Sequence, residues 1–212
     1  MDWAAYLLDL LLHLDRHLLE LVQLYGSWIY AILFAIVFCE TGLVVTPFLP
    51  GDSLLFITGT LAGAGMLDPL LLAGLLVTAA FLGDAVNYRI GAYIGPKAYG
   101  RPSRWLNPRH LQRAHEFFER HGGKTIVIAR FLPIIRTYAP FVAGVAQMPY
   151  RRFALFNLSG GVLWVASLIY AGVFFGHLPL VRNNLTLITL GIIVLSLLPA
   201  AVGLARAKLS RP

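Results

Sequence analysis

Residues 128–144, IARFLPIIRTYAPFVAG, limit the possible folds more than any other stretch of the chain. The run is apolar enough to enter a bilayer, yet it holds Arg130 and Arg136, with Pro133 between them and Pro140 after. An arginine at bilayer depth costs at least ~2–3 kcal/mol, so it faces protein, water or an anionic ligand. Two prolines so close together disfavour one unbroken helix, because each lacks an N–H and constrains the residue before it. Broken backbone at membrane depth survives only where protein buries it or where it lines a cavity. The stretch therefore reads as the heart of a re-entrant hairpin, residues 125–150, that lowers two guanidinium groups into a protected pocket. Such a pocket suits an anion, and phosphate in particular, because arginine stays charged when desolvated and offers a planar fork of donors.

The rest of the chain fits a membrane setting. Of its 212 residues, 58% are hydrophobic and only 13% are charged, with a mean hydropathy of +0.73. This composition excludes a soluble globular domain and favours one compact all-α polytopic membrane domain over residues 1–212. The net charge of +7 sits in short basic segments beside apolar ones. That is the pattern of loops that fix topology, and it argues against nucleic acid as a partner. The single cysteine, Cys39, rules out an intramolecular disulfide. The first residues are acidic before the apolar run, so no cleavable signal peptide is expected.

In chain order, residues 4–24 carry Asp9, His13, Arg16 and Glu20 on one helical face, which predicts an amphipathic interfacial helix ended by Gly26. Residues 27–45 form the first spanning helix, with Glu40 inside its apolar run. In residues 46–65, Pro47, Pro50 and Gly51 break the helix and Asp52 precedes a short apolar stretch as an N-cap would. This predicts a first re-entrant hairpin, so residues 27–65 are a helix followed by a hairpin. Residues 70–95 form a spanning helix with Asp84, Asn87, Tyr88 and Arg89 in its second half and a Gly91/Gly95 pair suited to close helix contact. The polar section 97–124 is strongly basic and therefore cytoplasmic, with an amphipathic helix placing Leu111, His115 and Phe118 on one face. After the second hairpin, residues 153–175 and 185–205 span again. Every basic cluster then falls on one side, with both termini cytoplasmic.

The expected architecture has about four membrane-embedded or spanning helices, two opposed re-entrant helical hairpins and an interfacial N-terminal helix. The first hairpin region supplies carboxylates at Glu40 and Asp52, and the second supplies Arg130 and Arg136. Opposed broken elements around a central site are a transporter arrangement. Ion pairing of the arginines with Glu40, Asp52 or Asp84 is the plain alternative, and both states can alternate as phosphate comes and goes. Desolvation and a nearby arginine act in opposite directions on a buried carboxyl group, which is what coupling to protons requires. Asp84 reads as a supporting residue, since Gly83 beside it admits a neighbour and Arg89 lies near it on the helix. No metal site is expected: His115 and His121 are too far apart for a zinc helix. No cofactor motif and no nucleophile with a base and oxyanion hole stand out, so the chain does not read as an enzyme.

Phe38-Cys39-Glu40, Phe48-Leu49-Pro50-Gly51-Asp52, Gly83-Asp84 with Asn87, Tyr88 and Gly91, and Arg130-Phe131-Leu132-Pro133 with Arg136 and Gly144 together resemble the DedA family, also called the SNARE-associated or VTT-domain family. The resemblance covers nearly the whole chain. It implies opposed re-entrant hairpins, the bacterial inner membrane and lipid translocation. It implies a flippase for undecaprenyl phosphate or another phospholipid, with Arg130 and Arg136 on the phosphate. Glu40 and Asp52 are then the proton-linked residues, and Asp84, Asn87 and Tyr88 support the site. Membrane lipids and protons are the implied partners, and self-association is left open. The rivals are a proton-coupled antiporter of small cations, a non-selective scramblase, a scaffold that transports nothing, and a lipid-phosphate enzyme, against which the missing nucleophile counts.

Overall fold

The computed structural model describes residues 14–43, 51–100, 116, 118, 120, 122–176, 178 and 191. Among them the regular structure is helical. Helix α1, Leu14–Tyr25, ends where Gly26 takes φ +51 and opens a single 3-10 turn, Gly26–Trp28, and α2 follows as Ile29–Gly42. Then come α3, Gly51–Gly63; α4, Pro69–Gly100; α5, Lys124–Ala129; α6, Pro133–Val145; and α7, Tyr150–Phe175. Among the described residues, three stretches are long and apolar enough to cross a membrane: His17–Gly42, Pro69–Gly95 and Tyr150–Phe175. Apart from residue 191, the expected span at 185–205 lies outside the described residues, as do the breakers Pro47 and Pro50.

Several boundaries differ from the sequence expectation. The first apolar stretch reaches back to His17, because the turn at Gly26 interrupts the helix without redirecting the apolar pattern. Helix α4 continues to Gly100, into the section expected as a loop. Helix α7 begins at Tyr150 instead of residue 153, so Arg151 and Arg152 are exposed in its first turn. Asp52 is the second residue of α3 and sits in its first turn, not at its cap. There a carboxylate faces the positive end of the helix macrodipole.

The chain forms two compact units. The first comprises Met1–Ala35, Phe48–Leu76 and Val165–Pro212, and the second Ile36–Pro47 and Val77–Trp164. In the first, α1 packs on α3, and α3 is buried nearly all round. At 13 residues α3 is about 20 Å long, too short for the ~30 Å hydrocarbon core. Its threonines return their hydroxyl protons to its own backbone, Thr58 to the Leu54 carbonyl at 2.8 Å and Thr60 to that of Ile57 at 2.7 Å. These two hydroxyl protons thereby find acceptors within the helix itself. The helix closes with Met66 N–H on the Leu61 carbonyl at 3.0 Å and Gly65 at φ +80, a Schellman turn.

The second unit repeats this device. Helix α6 is also 13 residues long, and it ends with Met148 N–H on the Ala143 carbonyl at 3.0 Å and Gln147 at φ +57. Each short helix is clamped to a long one by backbone contact. A Cβ on Gly59 would overlap the Ile169 carbonyl of α7, and one on Gly172 would overlap that of Phe56. In the second unit, side chains on Gly91 or Gly144 would overlap the Phe141 and Tyr88 carbonyls. The Gly91/Gly95 pair thus makes the close contact that its spacing predicts, with α6 as partner.

The break before α6 follows from Pro133. Residue 132 precedes a proline, which disfavours the helical region there, and Leu132 takes φ −119, ψ 99. The end of α5 tightens beforehand, with Phe131 N–H on the Ile128 carbonyl at 3.1 Å and Leu132 N–H on that of Ala129 at 3.0 Å. Pro133 then occupies the first turn of α6, where its missing N–H is harmless. Pro140 does not break the chain as expected. It lies inside α6, buried, and the helix runs through it. Only the Arg136 carbonyl loses its i+4 donor, and the residues after Pro140 keep their helical bonding.

Candidate functional site

The polarity of the second unit is inverted relative to a soluble protein. Tyr93, Ile128, Leu155 and Leu163 are exposed, whereas Glu40, Asp84, Arg130 and Arg136 are 3%, 2%, 2% and 6% exposed. Charges buried in this way are stable only when paired and hydrogen-bonded. The four side chains form two ion pairs.

Arg136 lies one turn into α6, and its Nη2 donates to Glu40 Oε1 in the last turn of α2 at 2.5 Å. Arg130 caps α5, just before the break, and its Nη2 donates to both Asp84 Oδ2 of α4 and Asn157 Oδ1 of α7. Asn157 is fixed in turn, because its Nδ2 donates to the Phe81 carbonyl at 3.1 Å. The Nε and Nη1 donors of Arg130 have no hydrogen-bond partner among the described residues, and neither has Asp84 Oδ1. An orphaned buried donor or acceptor costs roughly 1–3 kcal/mol. The cluster is therefore electrically balanced, yet it has hydrogen-bonding capacity to spare.

Both guanidiniums lie against one indole. The Arg136 Cζ is 4.7 Å from the Trp164 ring centroid and that of Arg130 is 5.8 Å away. A second asparagine holds the frame around them. Asn87 of α4 donates from Nδ2 to the Thr41 carbonyl at 3.2 Å and the Thr137 carbonyl at 2.9 Å. It thus ties together the peptides that follow Glu40 and Arg136. Tyr88 gives its hydroxyl proton to the Met148 carbonyl and stacks on Phe153 at 4.4 Å, anchoring the far end of α6. It belongs to an apolar cluster with Phe118, Ile126 and Ala143. Phe118 is buried while Glu116 and Arg120 are exposed, as the amphipathic pattern there requires. Leu111 and His115 of that pattern lie outside the described residues.

The VTT domain matches residues 49–174, a range that takes in both arginines, Asp84, Asn157 and Trp164. The chain belongs to the DedA (VTT-domain) family of membrane proteins. It is 53% identical over 211 residues to "Protein DedA" of Escherichia coli strain K12, covering 98% of this chain and 96% of that one. An uncharacterized membrane protein of Mycobacterium tuberculosis strain H37Rv is 44% identical over 191 residues, 88% of this chain and 83% of its own. "Inner membrane protein YqjA" of E. coli K12 is 39% identical over 154 residues, 71% and 69% of the two chains. No solved structure matches.

In the second unit the structure unites most of the residues that the sequence marks, Glu40 from just before the VTT match included, and revises the part of two. Asp84 is no distant support: it binds Arg130 directly, and Arg89 is exposed, with its Cζ 6.0 Å from the Tyr150 ring centroid. Asp52 belongs to the other unit, half-buried at the start of α3 beside Gly51. Asn157, Trp164 and the Gly160–Gly161 step escaped notice in the sequence. Asn157 carried a usable signal, being a polar side chain well inside an apolar spanning run. Trp164 carried none, since tryptophan is ordinary in such a run.

Proposed function

We propose that the protein is a lipid transporter of the bacterial inner membrane, with both termini cytoplasmic. It is a flippase that moves undecaprenyl phosphate, or another phospholipid head group, in a cycle linked to protons. It acts as a transporter and performs no catalysis. The observation that carries the reading is the buried arginine pair, in which Arg130 keeps Nε and Nη1 donors without a partner among the described residues. A phosphate oxygen completes that donor set, and a second negative group can take Arg136 from Glu40. The lipid tail stays in hydrocarbon throughout. Short helices α3 and α6 are the inner arms of two re-entrant hairpins, which fits their length and their burial. Glu40 and Asp52 are the proton-coupling carboxylates: protonating Glu40 removes the charge that holds Arg136 and frees it for phosphate.

The competing reading is a proton-coupled antiporter of small cations, and the acceptor Asp84 Oδ1, without a donor among the described residues, favours it. Reconstitution separates the two. Proteoliposomes carrying undecaprenyl phosphate or phosphatidylethanolamine are assayed for head-group translocation with and without a proton gradient. Selective, gradient-sensitive movement of the phosphate lipid is the expected result. Equal movement of both lipids without a gradient makes the protein a scramblase. Immobility of both, with cation flux present, makes it the antiporter.

A further inference from the structure

One face of α7 meets the arginines at four successive points. Asn157, Gly160, Gly161 and Trp164 recur at helical spacing and share that face. Asn157 accepts from Arg130 Nη2. A Cβ on Gly160 would come within 3.3 Å of Arg130 Cδ and 3.4 Å of its Nε, and one on Gly161 within 3.6 Å of its Cζ. The arginine stem therefore lies along bare helix backbone. Trp164, 1% exposed, closes the row with its ring near both guanidiniums.

We propose that this face is a cradle that positions both guanidiniums for an anionic head group. Trp164 is the surface that the two cations share while carboxylate partners are exchanged for phosphate. The inference rests on the head-group reading above. Its physical reason lies in the exchange itself. For phosphate to take an arginine, Glu40 or Asp84 must release it, and a desolvated guanidinium then lacks its counter-charge. Returning it to water is not available at 2% and 6% exposure. The negative face of an indole attracts a cation without bonding it, most strongly where water is excluded. It has no charge to withdraw and cannot be protonated, so it serves every stage of the exchange. Trp164 is thus a positioning residue that acts through Arg130 and Arg136.

The test compares Trp164→Phe and Trp164→Leu with the parent protein in proteoliposomes titrated with undecaprenyl phosphate. Half-saturation, maximal rate and the unfolding midpoint in detergent are read together. Phenylalanine retains a smaller π face and leucine retains none. The expected result is a rise in half-saturation of about tenfold for Trp164→Leu and about threefold for Trp164→Phe, beyond the lowered unfolding midpoint that truncating a buried side chain brings to both. If both variants lower only the midpoint or the maximal rate and leave half-saturation alone, Trp164 is merely structural and the proposal is overturned. A second measurement leaves Trp164 intact. With Trp3, Trp28 and Trp105 each changed to Phe, Trp164 emission is expected to change on titration with undecaprenyl phosphate but not with uncharged undecaprenol. Emission indifferent to the phosphate overturns the cradle. A parent protein that shows no saturable response to the phosphate lipid in either assay overturns the head-group reading itself, and the cradle's part in binding with it.

Discussion

Helices α3 and α6 are two solutions to one packing problem. Each is 13 residues long, each ends in the same turn, and each is pressed backbone to backbone onto a long helix through glycines. Their contents differ. Helix α3 buries Leu54, Leu55, Phe56 and Ile57 and keeps its threonine hydroxyls on its own carbonyls. Helix α6 and the break before it bury Arg136 and Arg130, which need three other helices to satisfy them. A short clamped helix therefore needs no fully buried charge, since the carboxylate of α3, Asp52, is only half-buried. The four buried charges of the second unit are thus not needed for packing alone, because a well-packed apolar set of similar volume is often as stable as a buried ion pair, or more so.

The largest expected effect comes from removing that difference. Asp84→Leu alone, or Arg130→Met alone, strands a buried charge and should cost about 3–5 kcal/mol in detergent unfolding. The double variant Asp84→Leu/Arg130→Met makes the second unit resemble the first. It should recover most of that stability while lipid translocation is abolished. A double variant that still transports would return the pair to a structural role.

The next effect tests the likeness. Gly59→Ala and Gly144→Ala should each cost about 1–3 kcal/mol, since a methyl group has no room against the facing backbone. Gly74→Ala, in α4 with nothing within 4 Å, should instead gain about 0.5–1 kcal/mol from helix propensity. If Gly144→Ala unfolds like Gly74→Ala, the two short helices are not clamped alike.

Smaller effects sharpen the comparison at the helix ends. Gln147→Gly should stabilise by about 1 kcal/mol and Gly65→Ala should destabilise by about as much, because both sites hold positive φ. Asp52→Asn should change unfolding by only ~0.3–1 kcal/mol, the scale of one charge at a helix start. Its expected signature is loss of the proton-gradient dependence of translocation. If gradient dependence persists unchanged, Asp52 is only a helix-end charge.

Which parts the sequence revealed follows from how far each signal reaches along the chain. Pro133 dictates a local event, the extended Leu132, so the break was legible from neighbouring residues. Gly91 and Gly95 announced a close contact through their spacing, although nothing in the spacing could name α6 as the partner. Arg130 and Arg136 stood out because a charge in an apolar run must be answered somewhere. The answering residues were harder to name. Glu40 and Asp84 are 96 and 46 residues from their arginines, and only the fold decides which carboxylate meets which guanidinium. Pro140 misled because a breaker's local preference yields when the surrounding turns are packed against α4. Trp164 was invisible for the opposite reason, being a common residue whose part depends wholly on what reaches its ring.

The most direct test of the central claim is head-group translocation by Arg136→Ala and Arg136→Lys in proteoliposomes containing undecaprenyl phosphate. Lysine keeps the charge opposite Glu40 but loses the planar fork. If the arginine pair is the head-group site, Arg136→Ala abolishes translocation and Arg136→Lys restores only a small part of it. Translocation at the parental rate in folded Arg136→Ala protein would contradict the account.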